Sequence, residues 1–148
     1  MRIRWPITNT STARQLPPVR LIATGEFTDG SFVAPNPWRR VNAETPEGEL
    51  VGRVSYGISP LRDRIYVDGL HVEDHYRREG YGTSILTAVA NACAADDKRI
   101  PMTALHETYA SQNFWTKMRK GAAPGLTVTR DVRASEMADE AKRWGAQR

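Results

Sequence analysis

The pattern of apolar and polar residues changes character near residue 82. Before that point, apolar residues alternate with polar ones or form short runs between turns, which is typical of β-strands. Beyond it, apolar residues recur mostly at helical spacing. The pattern predicts strands at 19–27, 38–45, 50–58, 64–72, 100–105 and 125–132, and helices at 83–95, 111–118 and 135–144. Strands that alternate with helices late in the chain indicate an α/β protein with a mixed sheet flanked by helices.

Two of the predicted strands carry further detail. In the strand 50–58, Leu50, Val54 and Tyr56 share one parity while Arg53 takes the other, which predicts a half-buried strand. Gly69 lies inside the strand 64–72, where a bulge or a close approach of the backbone is expected. Residues 28–62 show no helical period.

Composition limits the class of protein. The 148 residues predict one domain, 1–148, and 40% apolar with 26% charged residues exclude a wholly disordered chain. The net charge of +4 falls short of that of a dedicated nucleic-acid binder. The single cysteine, Cys93, cannot form an internal disulfide and fits a reducing compartment. No apolar stretch is long enough to span a bilayer and no secretory signal is evident, so we expect a cytoplasmic protein without a membrane partner.

The segment that follows the strand 64–72 indicates chemistry. It is a basic, glycine-rich loop that leads into a helix, and such a helix start attracts phosphate through unpaired N–H groups. Gly80 and Gly82 are expected to let the backbone approach a ligand. A dinucleotide fingerprint would require glycine at Ile85, and a nucleotide-triphosphate loop would require lysine at Thr83. Both alternatives fail.

The order Arg77-Arg-Glu-Gly80-Tyr-Gly82 resembles the acetyl-coenzyme-A motif of the GNAT superfamily of N-acetyltransferases, Arg/Gln-x-x-Gly-x-Gly/Ala. A second segment, Thr108-x-x-Ser111-x-x-Phe114-Trp115, partly resembles the family's Asn-x-x-Ala-x-x-Phe/Leu-Tyr. The resemblance covers about residues 64–120 as the coenzyme-binding core. Residues 1–62 would form a strand-rich acceptor side, and 121–148 a terminal strand and helix.

The resemblance implies a mostly antiparallel mixed sheet whose fourth and fifth strands splay apart. Acetyl-coenzyme A would be the cosubstrate, and an acetyl group would pass directly to a primary amine of a small molecule or a protein. The pyrophosphate would bind backbone N–H groups, and the pantetheine arm would follow the fourth strand. The coenzyme-binding residues implied are Leu70, Val72, Arg77, Arg78, Glu79, Gly80, Tyr81, Gly82, Thr83 and Phe114.

Such chemistry requires a neutral amine and therefore favours a general base. The candidates are Asp68, His71 and Glu73 near the motif strand, and His106 and Glu107 after the next strand. Glu107 and His106 rank first, because the acceptor is expected at the open end of the splay, and Asp68 completes the predicted catalytic set.

The chain departs from the family pattern in two places. Trp115 replaces a tyrosine that often protonates the leaving thiolate, so that role would fall to water, Tyr109 or Tyr81. The family's two helices after its first strand have no counterpart in the sequence pattern. We therefore expect an acceptor pocket that is smaller, more open, or completed by a second subunit.

Other readings stay open at this point. Because the tyrosine is missing, a second hypothesis stays open: a catalytically degenerate sensor or interaction module that binds acyl-coenzyme A without turning it over. A nucleic-acid-binding domain rests only on charge and is not expected. His71 and His75 lack the context of a zinc site, so no metal is predicted. A homodimer could form through a strand edge or the helix that contains Trp144.

Overall fold

A five-stranded sheet organises the protein in the computed structural model, which describes residues 15–27, 38–94, 98–105, 111–123, 125–129, 136, 139–140 and 142–143. The strands are β1 Arg20–Phe27, β2 Trp38–Glu44, β3 Leu50–Ile58, β4 Ile65–Val72 and β5 Met102–Ala104, and the helices are α1 Tyr81–Ala92 and α2 Gln112–Arg119. Spatial order follows chain order. The first three pairings are antiparallel and β4 pairs with β5 in parallel. The predicted fold class, a mixed and mostly antiparallel sheet flanked by helices, is confirmed.

The end of the chain is described in part. A parallel bridge joins Met102 of β5 to Val128, within the segment predicted as the last strand. In the predicted terminal helix, Asp139, Glu140, Lys142 and Arg143 are helical, whereas Trp144 lies outside the described residues. Neither described helix is long and apolar enough to cross a membrane. Residues 38–62 contain strands and turns without a helix, as their pattern predicts, and residues 28–37 lie outside the description.

The alternation predicted for β3 is wrong at the first residues of the strand, where Leu50 was expected to be buried. Leu50 is 38% exposed, whereas Val51 is fully buried. Along β2, Ala43 pairs with Gly52 but Glu44 pairs with Leu50, so Val51 is an extra residue in the ladder. A bulge of one residue moves the following side chains to the other face, which is why parity failed here.

The core lies between one face of the sheet and the two helices. It includes Val54 and Val67 from the sheet, Leu86 from α1, and Trp115 and Met118 from α2. Cys93 is also buried in this cluster, as a structural thiol rather than a nucleophile, and its burial raises the pKa of the thiol.

The opposite face of the sheet is partly covered by residues of the terminal helix. Tyr66 donates a hydrogen bond to Glu140 at 3.0 Å, and Arg64 pairs with the same carboxylate at 2.6 Å. Arg143 pairs with Asp63 at 2.7 Å. We call these residues, Asp63, Arg64, Tyr66, Glu140 and Arg143, the terminal clamp. It fixes the helix over the end of the sheet where β3 turns into β4.

The described pairing of β4 with β5 covers only the first part of β4. Their pairing runs from Ile65 opposite Met102 to Val67 opposite Ala104, and the Leu105 N–H then donates to the Val67 oxygen at 2.9 Å. Within the described parts of the chain, no strand pairs with residues 68–72 on this side. This unpaired stretch is called the open edge of β4 below.

Candidate coenzyme and acceptor site

The predicted bulge lies at the start of the open edge. Ser55 pairs with Asp68, but the next pair is Arg53 with His71, so Val54 faces two residues of β4. One of them is Gly69, whose φ is +72°. This left-handed conformation favours glycine, which explains the residue type there.

The loop after β4 presents a row of main-chain donors. A single turn of 3-10 helix, Asp74–Tyr76, leads into it, and α1 begins at Tyr81. The first hydrogen bond of α1 runs from the Ser84 N–H to the Gly80 oxygen, at 3.0 Å. Among the described residues, nothing accepts from the main-chain N–H groups of residues 78–83. These six groups, at the positive end of α1, suit an anion such as a diphosphate.

The two loop glycines have reasons other than room for a ligand. Gly80 caps α1 at a φ of +89°, a conformation that side chains rarely adopt. A Cβ on Gly82 would lie 3.0 Å from Cε1 of Phe114. Gly82 therefore also serves the packing of α1 against α2, and the expectation that both glycines let the backbone approach a ligand stays a prediction.

Arg77 and Arg78 have different surroundings. The Arg77 Nε donates to the Val72 oxygen at 2.9 Å, and its Nη1 lies 3.1 Å from Asp74, so this side chain fixes the turn after β4. Arg78 and Glu79 are exposed. Within the described residues no hydrogen bond or ion pair holds the Arg78 guanidinium. The backbone of Arg78 has a φ of +65°. Arg78 is thus the loop cation that can turn toward an anion.

The aromatic residues around the loop pack against one another. The Tyr76 hydroxyl donates to Glu49 at 2.5 Å, and this hydrogen bond raises the pKa of Tyr76 to about 12. The ring of Tyr81 meets the ring of Tyr76 edge-on at 5.1 Å. Trp115 is 5% exposed and packs edge-on against Phe114, so its indole belongs to the core. Tyr109, the other predicted acid, lies outside the described residues.

Residues before β1 also contact the loop, which the sequence did not indicate. The Ser84 hydroxyl donates to the Pro17 oxygen at 2.7 Å. A Cβ on Gly80 would lie 3.4 Å from the ring of Pro17 and 3.8 Å from Leu16. The segment therefore covers one side of the first turn of α1. The one sequence signal for an ordered segment there is the Pro17-Pro18 pair, because the residue before a proline favours an extended backbone.

Three of the predicted base candidates lie along or just after the open edge, and two of them are in contact. Asp68 pairs in register with Ser55, and His71 with Arg53. The His71 Nε2 lies 2.8 Å from Oε2 of Glu73, with the two side chains 40% and 37% exposed. Leu70 and Val72, between them, pack partly against the core. The two highest-ranked candidates, His106 and Glu107, lie outside the described residues.

Of the remaining predicted contacts, Thr83 is half-buried and its hydroxyl lies 3.7 Å from the sulfur of Met118. The ring of Phe114 packs against Gly82 in the first turn of α1. His75 packs edge-on against Tyr76 at 5.4 Å, apart from the His71–Glu73 pair. No three potential metal ligands cluster within the described parts of the chain.

The model of the acetyltransferase (GNAT) family matches residues 10–119, and the chain belongs to this family. Among curated proteins, no sequence matches it significantly.

Solved structures include similar chains. An acetyltransferase of the GNAT family from Staphylococcus aureus Mu50 is 15% identical with a TM-score of 0.42, over 55% of this chain and 51% of that one. Nourseothricin acetyltransferase is 16% identical with a TM-score of 0.33, over 57% and 60% of the two chains. The chain thus spans about half to three-fifths of the length of these structures.

Proposed function

We propose that the protein is an N-acetyltransferase that transfers an acetyl group from acetyl-coenzyme A directly to a primary amine of a small molecule or a protein. One observation carries the proposal: six consecutive N–H donors of residues 78–83 lie beside the open edge of β4, with no acceptor among the described residues. Family membership supports the same chemistry at a coarser level.

The described residues fit such a cosubstrate. The donors of residues 78–83 and the Arg78 guanidinium would hold the diphosphate. The main-chain groups of Leu70 and the Val72 N–H, at the open edge, would pair with the amide groups of the pantetheine arm, as an added strand does, whereas the Val72 oxygen already accepts from Arg77. Bound in this way, acetyl-coenzyme A supplies a thioester carbonyl that an amine can attack.

The described residues can also remove a proton from the amine. An amine with a lysine-like pKa of about 10.4 is protonated at pH 7, and freeing it costs about 4.6 kcal/mol. We assign the base to His71: a ring N–H donated to Glu73 fixes the tautomer and leaves Nδ1 to accept a proton. Asp68 would attract the ammonium form of the acceptor. Glu107 and His106 remain predictions from sequence.

In the reaction, the amine nitrogen forms a bond to the acetyl carbon and the bond from that carbon to sulfur breaks. The amine proton goes to His71, and the thiolate that leaves takes a proton from solvent, since Trp115 is buried and its N–H is a poor acid. The products are the N-acetylated amine and coenzyme A.

Calorimetric titration with acetyl-coenzyme A, followed by thiol release over a panel of primary amines, tests the proposal. We expect both binding and release. Arg78→Ala and Arg78→Gly should each weaken binding by about 1–3 kcal/mol, because a charge-assisted contact is lost while the main-chain donors remain. The glycine variant separates charge from backbone strain, since it removes the charge and relieves the positive φ.

Arg62 is the matched control. It is also an exposed arginine at positive φ, +57°, but it lies on the turn between β3 and β4. Arg62→Ala should leave coenzyme affinity unchanged. Coenzyme binding without thiol release for any amine would contradict an N-acetyltransferase, and a folded chain that binds no coenzyme would contradict the loop assignment.

A further inference from the structure

The sheet face opposite α1 carries a group of polar residues beside the open edge. Val54 and Val67 face the core with α1, so their strand neighbours Arg53, Ser55 and Asp68 lie on the other face. The register joins Arg40 to Ser55 and Ser55 to Asp68 in one row. It joins Asn42 to Arg53 and Arg53 to His71 in the next row. We call these residues, Arg40, Asn42, Arg53, Ser55, Asp68 and His71, the polar face.

Two opposite charges on the polar face do not neutralise each other. Arg53 is exposed and Asp68 is half-buried, and neither makes a hydrogen bond or ion pair with a described residue. They are diagonal neighbours on adjacent strands, where Cα atoms are roughly 7–8 Å apart. The two charges therefore lie on one face, close enough for the two ends of one small molecule to contact both.

Among the described residues, no helix covers the polar face where it meets the open edge. The terminal clamp covers the sheet only as far as Tyr66, which pairs with Gly57 one row before Ser55 and Asp68. Residues 38–62 provide no helix that could cover the next rows. The side chain of His71 is 40% exposed and Asp68 is half-buried, so an acceptor that approaches from this face can contact both while the coenzyme occupies the edge of β4.

We propose that the acceptor is a short aminocarboxylate, a molecule that carries a primary amine at one end and a carboxylate at the other. The amine would lie beside Asp68 and His71, and the carboxylate would pair with the Arg53 guanidinium, which can bind it through two parallel hydrogen bonds. The inference rests on the proposed function for the transfer itself. Recognition of the two charges is a separate property that binding measurements reveal.

The test compares matched ligands in calorimetric titrations of the full chain, with and without saturating coenzyme A. The probes are unbranched ω-amino acids from β-alanine to 5-aminopentanoate, each paired with its carboxamide, which keeps the amine and the length but lacks the negative charge. We expect one or more of the acids to bind at least about tenfold more tightly than its amide, as one charge-assisted pair provides. Arg53→Ala should abolish this preference and Arg53→Lys should retain part of it.

Arg20→Ala is the matched control. This substitution removes a positive charge from the same face of the sheet. Arg20, however, lies on the outer strand β1 and is paired with Glu44 at 3.8 Å. The preference of Arg20→Ala for the acids should equal that of the unchanged protein. Coenzyme affinity should be the same in Arg20→Ala and Arg53→Ala. Equal binding of acids and amides, no binding of either, or a preference that survives Arg53→Ala would each overturn the inference.

The two proposals fail in different ways. If neutral amines are acetylated as fast as the acids, the transferase stands and the aminocarboxylate site is wrong. If coenzyme A does not bind, the transferase fails, while the titration without coenzyme still decides whether Arg53 recognises a carboxylate.

Discussion

Gly52 determines, by the absence of a side chain, how closely β3 approaches β4 at the open edge. It pairs with Val72, and a Cβ at this position would overlap the main-chain oxygen of His71 and lie 3.1 Å from the Cα of Val72. The obstacle is backbone, which cannot move as the tip of a flexible side chain can. The position of His71 and of the open edge therefore depends on this one residue.

Gly52→Ala should lower the free energy of unfolding by about 1–3 kcal/mol, the usual cost of forcing extra volume into a packed site. Urea unfolding measures it. Gly25→Ala is the control, because Gly25 also lies in a strand but a Cβ there would meet no atom within 4 Å. Similar stabilities for the two variants would contradict the close approach at Gly52.

Residue-level prediction from sequence succeeded where local chemistry determines conformation. Gly69 was predicted to mark a bulge, and the left-handed conformation there requires such a residue. It failed for Leu50 and Val51, because a bulge against β2 depends on the partner strand rather than on alternation within β3. It did not foresee that Gly82 also packs against Phe114, thirty-two positions away.

At the scale of elements, the terminal clamp joins the last helix to the turn between β3 and β4. Burial raises the pKa of the Asp63 carboxyl, but hydrogen bonds from Arg143 and Ser59 outweigh it, so the pKa is lowered from the ordinary value of 3.8. A lowered pKa means that the ionised carboxylate stabilises the folded state above pH 3.8. This contribution is lost as the pH falls through the pKa of the folded protein.

Asp63→Asn should therefore destabilise the protein most at neutral pH. The difference from the unchanged protein in free energy of unfolding should shrink progressively as the pH falls below 3.8 and through the lowered pKa of the folded protein, because Asp63 then becomes protonated and uncharged. Denaturant unfolding at pH 7 and near pH 3 measures the two differences. Equal differences at the two pH values would show that the Asp63 charge does not hold the clamp.

Elements were more predictable than their contacts. Strands β1 to β5 fall within the predicted segments, and helices α1 and α2 overlap theirs with a start two residues early and an end one residue late, because the apolar period and the turn residues are local signals. The ordered segment at Leu16 and Pro17 was not foreseen, since its bond to Ser84 joins residues far apart in sequence. The clamp was missed for the same reason.

At the scale of the whole molecule, the candidate site is assembled from β3, β4 and the start of α1. The loop and Phe114 were assigned from a family motif, and their contact with coenzyme stays a prediction. The polar face could not, since Arg53 and Asp68 become neighbours only through the register of two strands and the bulge between them. Where the sequence favoured His106 and Glu107 for the base, the described residues bring His71 and Glu73 together.

Ligand binding at this site should stabilise the whole fold. Coenzyme A at a hundredfold excess over its dissociation constant should raise the free energy of unfolding by about 2.7 kcal/mol, because it binds only the folded chain. Thermal unfolding measures the shift. Pantetheine, which lacks the diphosphate, should stabilise much less at equal concentration, and equal stabilisation by the two would show that the donors of residues 78–83 do not hold a diphosphate.

The terminal clamp has a practical consequence for anyone who trims this gene. The family match ends at residue 119, yet Glu140 and Arg143 lie far beyond it and hold Tyr66, a fully buried side chain of the central sheet. A shortened product that stops at the family boundary would leave an aromatic ring and two charges of the sheet bare to water, and should therefore be recovered as aggregates.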